Sequence, residues 1–184
     1  MRRCPNCNLM LPRKSKIDIE SLDKEKLQYA LDNFAGILKN AEYYENNLAQ
    51  IRTLSKDLLV LATTGYYVSL GSLIRNEQGM DYTKIFKIWE ISLEENKDYP
   101  TQNEVLRHNI EIIREWESSL AYEMEHVLKI RDKYMAHIDF VDNDFFVNSL
   151  TDKDLTKQND LVKFFSSIIE ISRDYTTSVC ADVK

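Results

Sequence analysis

From Leu106 to Ile138, apolar side chains return in steps of three or four residues: Leu106, Ile110, Ile113, Trp116, Leu120, Met124, Val127, Tyr134 and Ile138, with Arg131 on the same stripe. That spacing brings side chains back to one face of a helix. It predicts a long amphipathic helix, opened by Thr101-Gln102-Asn103-Glu104, which fits a capping box. Upstream, Leu27, Leu31, Phe34 and Leu38 define a first helix over about Leu22 to Asn40. A second helical stretch runs from Tyr43 and Tyr44 to about Arg75, with Ile51, Leu54, Leu58, Leu61, Gly65 and Val68 on one stripe. Asn76-Glu77-Gln78-Gly79 stops it. A shorter helix opens at Asp81, a good N-cap, and carries Ile85, Phe86, Trp89 and Leu93. Asn96 to Pro100 forms the next break. Asp142 to Asn159 reads as a polar loop around Phe145-Phe146-Val147. A final helix follows over about Asp160 to Asp174, with Leu161, Phe164, Phe165, Ile168 and Ile171. The sum is an all-α bundle of about five helices.

Composition agrees. Only 4 glycines and 3 prolines occur in 184 residues, which argues for few turns and long helices. Hydrophobic residues make up 43% and charged residues 29%, the balance of a globular chain with a real core. The run Leu58 to Ile74 has no charge, yet it is shorter than the ~20 apolar residues that span a bilayer. It also holds Thr63, Thr64, Gly65, Ser69, Gly71 and Ser72. The expectation is a central helix buried on most sides, with small residues permitting close approach and no membrane contact. Tyr43, Tyr44, Tyr66 and Tyr67 are expected to pack in the core rather than stack on bases.

Charge divides the chain. Residues 1–16 hold Arg2, Arg3, Arg13, Lys14 and Lys16 with no acid, so they carry +5; the net charge of −6 leaves −11 for the rest. Residues 1–16 therefore read as a basic N-terminal arm and residues 17–184 as one helical domain. An acidic body disfavours broad non-specific binding to nucleic acid, so phosphate contacts would be local. No apolar segment follows the N-terminal basic residues, and the cysteine count is odd, which together suggest a reducing cytoplasm.

Arg131 is the exception on the long stripe. A desolvated guanidinium needs a partner, a wet cleft or a chemical task. His137 follows one to two turns later. A structural ion pair for Arg131 and a helix-capping role for His137 would also account for both.

Arg131-Asp132-Lys133-Tyr134-Met135-Ala136-His137, with Asp139 just after, resembles the signature of the HEPN superfamily. Its Arg-Asp-Lys, Ala-His-x-Asp form is similar to the abortive-infection (AbiU-like) branch. The looser resemblance, through helix order and the late position of the motif, covers about residues 22–175. It implies a HEPN-like helical bundle that pairs as a homodimer and cleaves RNA without a metal cofactor, in phage defence or as a toxin held by an antitoxin. Arg131 and His137 would be catalytic, Asp132 the polar neighbour, and Tyr134 and Asp139 supporting residues. RNA supplies its own nucleophile, the 2′-hydroxyl. Imidazole titrates near neutrality and can move the proton, while a guanidinium fork can hold the phosphate as charge grows. In an unbroken helix, six residues set Arg131 and His137 about 9 Å apart in rise and about a third of a turn apart. Pairing across a two-fold axis would bring an arginine and a histidine from each subunit to one cleft. The alternative is a non-catalytic HEPN module that binds nucleotide, RNA or a protein.

Cys4-Pro5-Asn6-Cys7 has zinc-knuckle spacing, but a closed structural site needs four ligands. Cys180 is a candidate third if the termini meet, and knuckles from two subunits could share an ion. Otherwise the arm is a basic tail. His108 and His126, among Glu104, Glu111, Glu123 and Glu125, read as a solvated helix face. There is no phosphate-cradling glycine loop and no dinucleotide fingerprint.

Overall fold

The computed structural model describes residues 2–3, 10–11, 24–77, 79–135 and 152–181. Among these are seven helices: α1 (Lys24–Asn46), the single turn α2 (Leu48–Ile51), α3 (Lys56–Ile74), α4 (Tyr82–Glu95), α5 (Pro100–Ser119), α6 (Ala121–Met135) and α7 (Asp152–Ala181). A short antiparallel ribbon in the N-terminal arm, β1 (Arg2–Arg3) with β2 (Met10–Leu11), pairs Arg2 with Leu11 and Arg3 with Met10. The body is all-α as the pattern predicts, but with more helices than five because two long runs are interrupted.

The first interruption falls between α1 and α3. The Asn47 side chain donates to the Tyr43 carbonyl at 2.8 Å and Thr53 Oγ1 to the Gln50 carbonyl at 2.7 Å. Such local side-chain bonds compete with helix continuation. The expected helix from Tyr43 to Arg75 is therefore three pieces. The second interruption is at Leu120, whose backbone N–H is shared between the Trp116 and Glu117 carbonyls. The Arg131 stripe keeps its phase across this joint: Leu106, Ile113, Leu120, Met124 and Val127 are all buried. The two halves nevertheless face different neighbours, α5 against α7 and α6 against α3.

Two helix starts differ in outcome. Asp81 caps α4 as expected, its carboxylate accepting the Lys84 amide at 3.2 Å. The capping box at Thr101 is not formed. Pro100 occupies the first turn of α5 instead, a position where its missing N–H costs nothing. Asn103 is buried and reaches back to the Asn96 carbonyl at 2.8 Å, while accepting from Tyr175 Oη at 2.9 Å. At the other end, α7 begins at Asp152, so residues 152–159 are helix where a polar loop is expected. Lysine, glutamine and leucine are good helix formers, and polarity alone does not break a helix. Phe145, Phe146 and Val147 lie outside the described residues.

The core is aromatic and lies where α1, α3, α4 and α7 meet. Phe34 meets Phe165 edge-on at 6.0 Å, and Phe164 contacts Tyr82 and Trp116 at 5.7 and 5.8 Å between centroids. Trp89 Nε1 finds a buried acceptor, Ser172 Oγ, at 3.1 Å. Tyr44 stacks on Tyr66 at 4.4 Å, and Tyr66 Oη donates to Glu45 at 2.6 Å. Burial raises the Tyr66 hydroxyl far above its ordinary range and also raises the Glu45 carboxyl, against the lowering effect of the Tyr66 bond.

α3 corrects one expectation. Its buried face is Thr63, Tyr66, Tyr67, Leu70, Gly71, Leu73 and Ile74. Of the stripe drawn from the sequence, Leu54, Leu58, Leu61 and Gly65 are exposed, Leu61 to 68%, while Val68 is half-buried and Ile51, on α2, is buried. When nearly every position of a helix is apolar or small, periodicity cannot tell the covered face from the open one. Tyr43 is likewise 70% exposed rather than packed, unlike Tyr44, Tyr66 and Tyr67. Among the described residues, no helix is long and apolar enough to cross a membrane.

Candidate functional site

Gly71 sits in the last turns of α3, on its buried face. A Cβ built there would stand 2.4 Å from Arg131 Cδ and 3.2 Å from both Cγ and Nε. The glycine is a notch, and the arginine of α6 runs through it. Glycine inside a helix sacrifices about 0.5–1 kcal/mol relative to alanine, so its use here reflects close approach.

Through that notch, Arg131 caps the C-terminal end of α3. Nη1 donates to the Gly71 carbonyl at 2.7 Å and to the Arg75 carbonyl at 2.9 Å. Nε and Nη2 both donate to Asp132 Oδ1, at 2.9 and 2.6 Å. Helix C-termini expose unpaired carbonyls with partial negative charge, and a guanidinium satisfies both needs. The Arg131 side chain is 16% exposed. Four of its N–H groups are engaged, and among the described residues the fifth has no acceptor.

Asp132 joins a second arginine to this group. Its other oxygen, Oδ2, accepts from Arg75 Nη2 at 2.7 Å. Arg75 closes α3 in an extended conformation, its own N–H bonded to the Gly71 carbonyl. The turn behind it is tied together. Asn76 N and Lys84 Nζ both donate to Asp81 Oδ2, at 3.0 and 2.8 Å, Gly79 N donates to Asn76 Oδ1 at 2.8 Å, and Lys84 Nζ also bonds the Asn76 carbonyl. Two guanidinium groups and one carboxylate leave a local charge of about +1, by counting formal charges, on a chain of net −6.

The three groups are held with different strength. Arg75 and Asp132 are both about half exposed, and pairs of that kind contribute about 0–1 kcal/mol. Arg131 makes four charge-assisted bonds, of which the one to the Gly71 carbonyl is partly buried, and withdrawing it would take a donor from both the Gly71 and Arg75 carbonyls. Arg131 is fixed and Arg75 is not.

No family model matches the chain, and neither does a curated protein or a solved structure. The chemical reading therefore rests on the residues themselves. Arg131 bonds its sequence neighbour Asp132 through both Nε and Nη2. Lys133 and Tyr134 lie on the last turn of α6, which ends at Met135. The Tyr134 side chain, His137 and Asp139 lie outside the described residues, as do Cys4 and Cys7. Among the described residues, no group of three or more histidine, cysteine, aspartate or glutamate side chains could hold a metal ion. His108 is exposed, and His126 stacks on Tyr122 with ring centroids 6.4 Å apart. Glu104, Glu111 and Glu125 are exposed as expected of a solvated face; Glu123 is buried.

Sequence reasoning missed Gly71 as the partner of Arg131 and missed Arg75 altogether. Gly71 carried a signal, being a glycine inside an apolar helix. Arg75 carried only its position, the first charge after the uncharged run of α3.

Proposed function

We propose that the chain is a HEPN-type, metal-independent endoribonuclease acting as a homodimer in phage defence or as a toxin. The observation that carries this reading is the Arg131 guanidinium, sunk in a glycine notch, fixed by the end of α3 and, among the described residues, left with one uncommitted N–H. Donors set before charge develops are the ones that lower a barrier most, because nothing reorganises at the moment of reaction. His137 follows two residues beyond the end of α6. It would take the proton of the RNA 2′-hydroxyl and later protonate the leaving 5′-oxygen, giving a 2′,3′-cyclic phosphate and a 5′-hydroxyl. No step in that scheme calls for a divalent ion. The open, uncharged face of α3 through Leu58, Leu61 and Gly65 supports pairing with a second copy, since a helix apolar all round is normally covered.

A second reading has its own support. Four of the Arg131 donors are spent within the chain, which suits an arginine that ties α6 to α3 in a non-catalytic module binding nucleotide, RNA or a protein partner. Incubating defined RNAs with wild type and His137→Ala in the presence of a chelator separates the two. Cleavage by wild type alone, with cyclic phosphate ends, is the expected result. Intact RNA with folded, dimeric protein would favour the binding module, and cleavage abolished by the chelator would defeat the proposed mechanism.

A further inference from the structure

Arg75 is the more open of the two arginines at this site. Its side chain is 54% exposed against 16% for Arg131. Among the described residues, one contact, the half-exposed pair with Asp132 Oδ2 at 2.7 Å, holds its guanidinium. Opening that pair costs little in water. Freeing Arg131, in contrast, would strip the Gly71 and Arg75 carbonyls of a donor.

The backbone of Arg75 is nonetheless firmly placed. Its N–H bonds to Gly71, its carbonyl receives Arg131 Nη1, and the following turn is tied through Asn76, Gly79, Asp81 and Lys84. A mobile guanidinium on a fixed base, beside a tethered second one, suits a phosphodiester: a planar fork can take two of its oxygens. Asp132 keeps the two arginines on separate oxygens, so an arriving phosphate can replace it at Arg75 without disturbing Arg131.

We infer that Arg75 binds the RNA phosphate backbone at this site beside Arg131, whose bond to the Arg75 carbonyl holds the Arg75 backbone in place. This rests on the ribonuclease reading above and adds a contact that the Arg131–His137 motif does not contain.

The test is binding of a short single-stranded RNA bearing 2′-O-methyl groups, which cannot be cleaved by 2′-hydroxyl attack. Affinity is measured over a series of salt concentrations for wild type, Arg75→Ala, Arg75→Lys and Arg131→Ala, alongside thermal melting of each. Loss of one phosphate contact should weaken binding about tenfold or more and reduce the slope of log affinity against log salt by about 0.7. Arg75→Ala should show both changes with an unaltered melting temperature. Arg75→Lys should recover the slope but not the full affinity, because an ammonium is a point charge rather than a fork. Arg131→Ala should melt earlier. If Arg75→Ala proves unfolded, Arg75→Gln, which keeps a donor for Asp132, replaces it under the same criteria. Wild-type affinity and slope in a folded Arg75 variant would overturn this assignment while leaving the nuclease reading intact. A wild-type protein that neither binds the methylated RNA nor cleaves the unmodified one would overturn both.

Discussion

Replacing Gly71 with alanine should destabilise the protein, although the same change at other helical glycines should stabilise it. Gly36 and Gly65 have no atom within 4 Å of a built Cβ, so alanine there meets open space. At such sites alanine should add about 0.5–1 kcal/mol of helix stability. At Gly71 the Cβ would stand 2.4 Å from Arg131 Cδ, well inside any tolerated contact. Cδ is not a free end, because the guanidinium beyond it is bonded at four points. Arginine must therefore leave the notch, and the equivalent of one charge-assisted bond of about 1.5–3 kcal/mol is lost. Set against the propensity gain of about 1 kcal/mol, the net effect is a loss of about 0.5–2 kcal/mol. At this chain length that lowers the melting temperature by about 1–8 °C, from about 2–4 °C per kcal/mol. Urea titration of Gly36→Ala, Gly65→Ala, Gly71→Ala, Arg131→Ala and the double variant Gly71→Ala/Arg131→Ala gives the comparison. The double variant should be more stable than the sum of its parts by about 1–2 kcal/mol, since alanine occupies space the arginine has vacated. A Gly71→Ala protein as stable as Gly65→Ala, or strict additivity in the cycle, would refute the notch.

Three further outcomes are expected. Glu45→Gln should raise the melting temperature at pH 7 to 8. Burial raises the Glu45 carboxyl, so its contribution is fully present below its unfolded value and is lost as pH rises through the folded one. The gain should fade toward pH 4, and a pH-independent difference would contradict the assignment. Asn103→Ala should cost about 1–3 kcal/mol in chemical denaturation, because it leaves the Asn96 carbonyl and the Tyr175 hydroxyl short of partners; an unchanged midpoint would show these bonds to be dispensable. If the chain pairs as proposed through the open face of α3, Leu61→Glu should shift it toward monomer in sedimentation without lowering its helicity. Wild type already monomeric, or a variant that sediments as wild type, would remove that face from the proposed pairing.

Helix content was legible because most helices carry a contrast between faces. Phe164, Phe165 and Ile168 on α7, or Ile85, Phe86 and Trp89 on α4, alternate with polar residues and lie buried as their spacing requires. α3 lacks that contrast, and there the stripe chosen from the sequence was the uncovered one. Interruptions were illegible for another reason. Asn47 and Thr53 bond backbone carbonyls with their side chains and Leu120 divides its backbone N–H between two carbonyls, and no hydrophobic pattern records such bonds. In the site, Arg131 stood out because a charge on an apolar stripe demands an explanation, and Asp132 was adjacent to it. Gly71 and Arg75 lie 60 and 56 residues away from Arg131. Only the packing of α6 on α3 brings them together, and no local rule predicts which turn of one helix meets which turn of another.

The joint at Leu120 decides what the motif senses. A rigid rod from Thr101 to Met135 would carry any shift of α7 straight to Arg131. The chain instead hands α5 to α7 and α6 to α3, with one residue between them. The guanidinium thus takes its bearing chiefly from α3, on which α6 packs most extensively, with a smaller contact to α7.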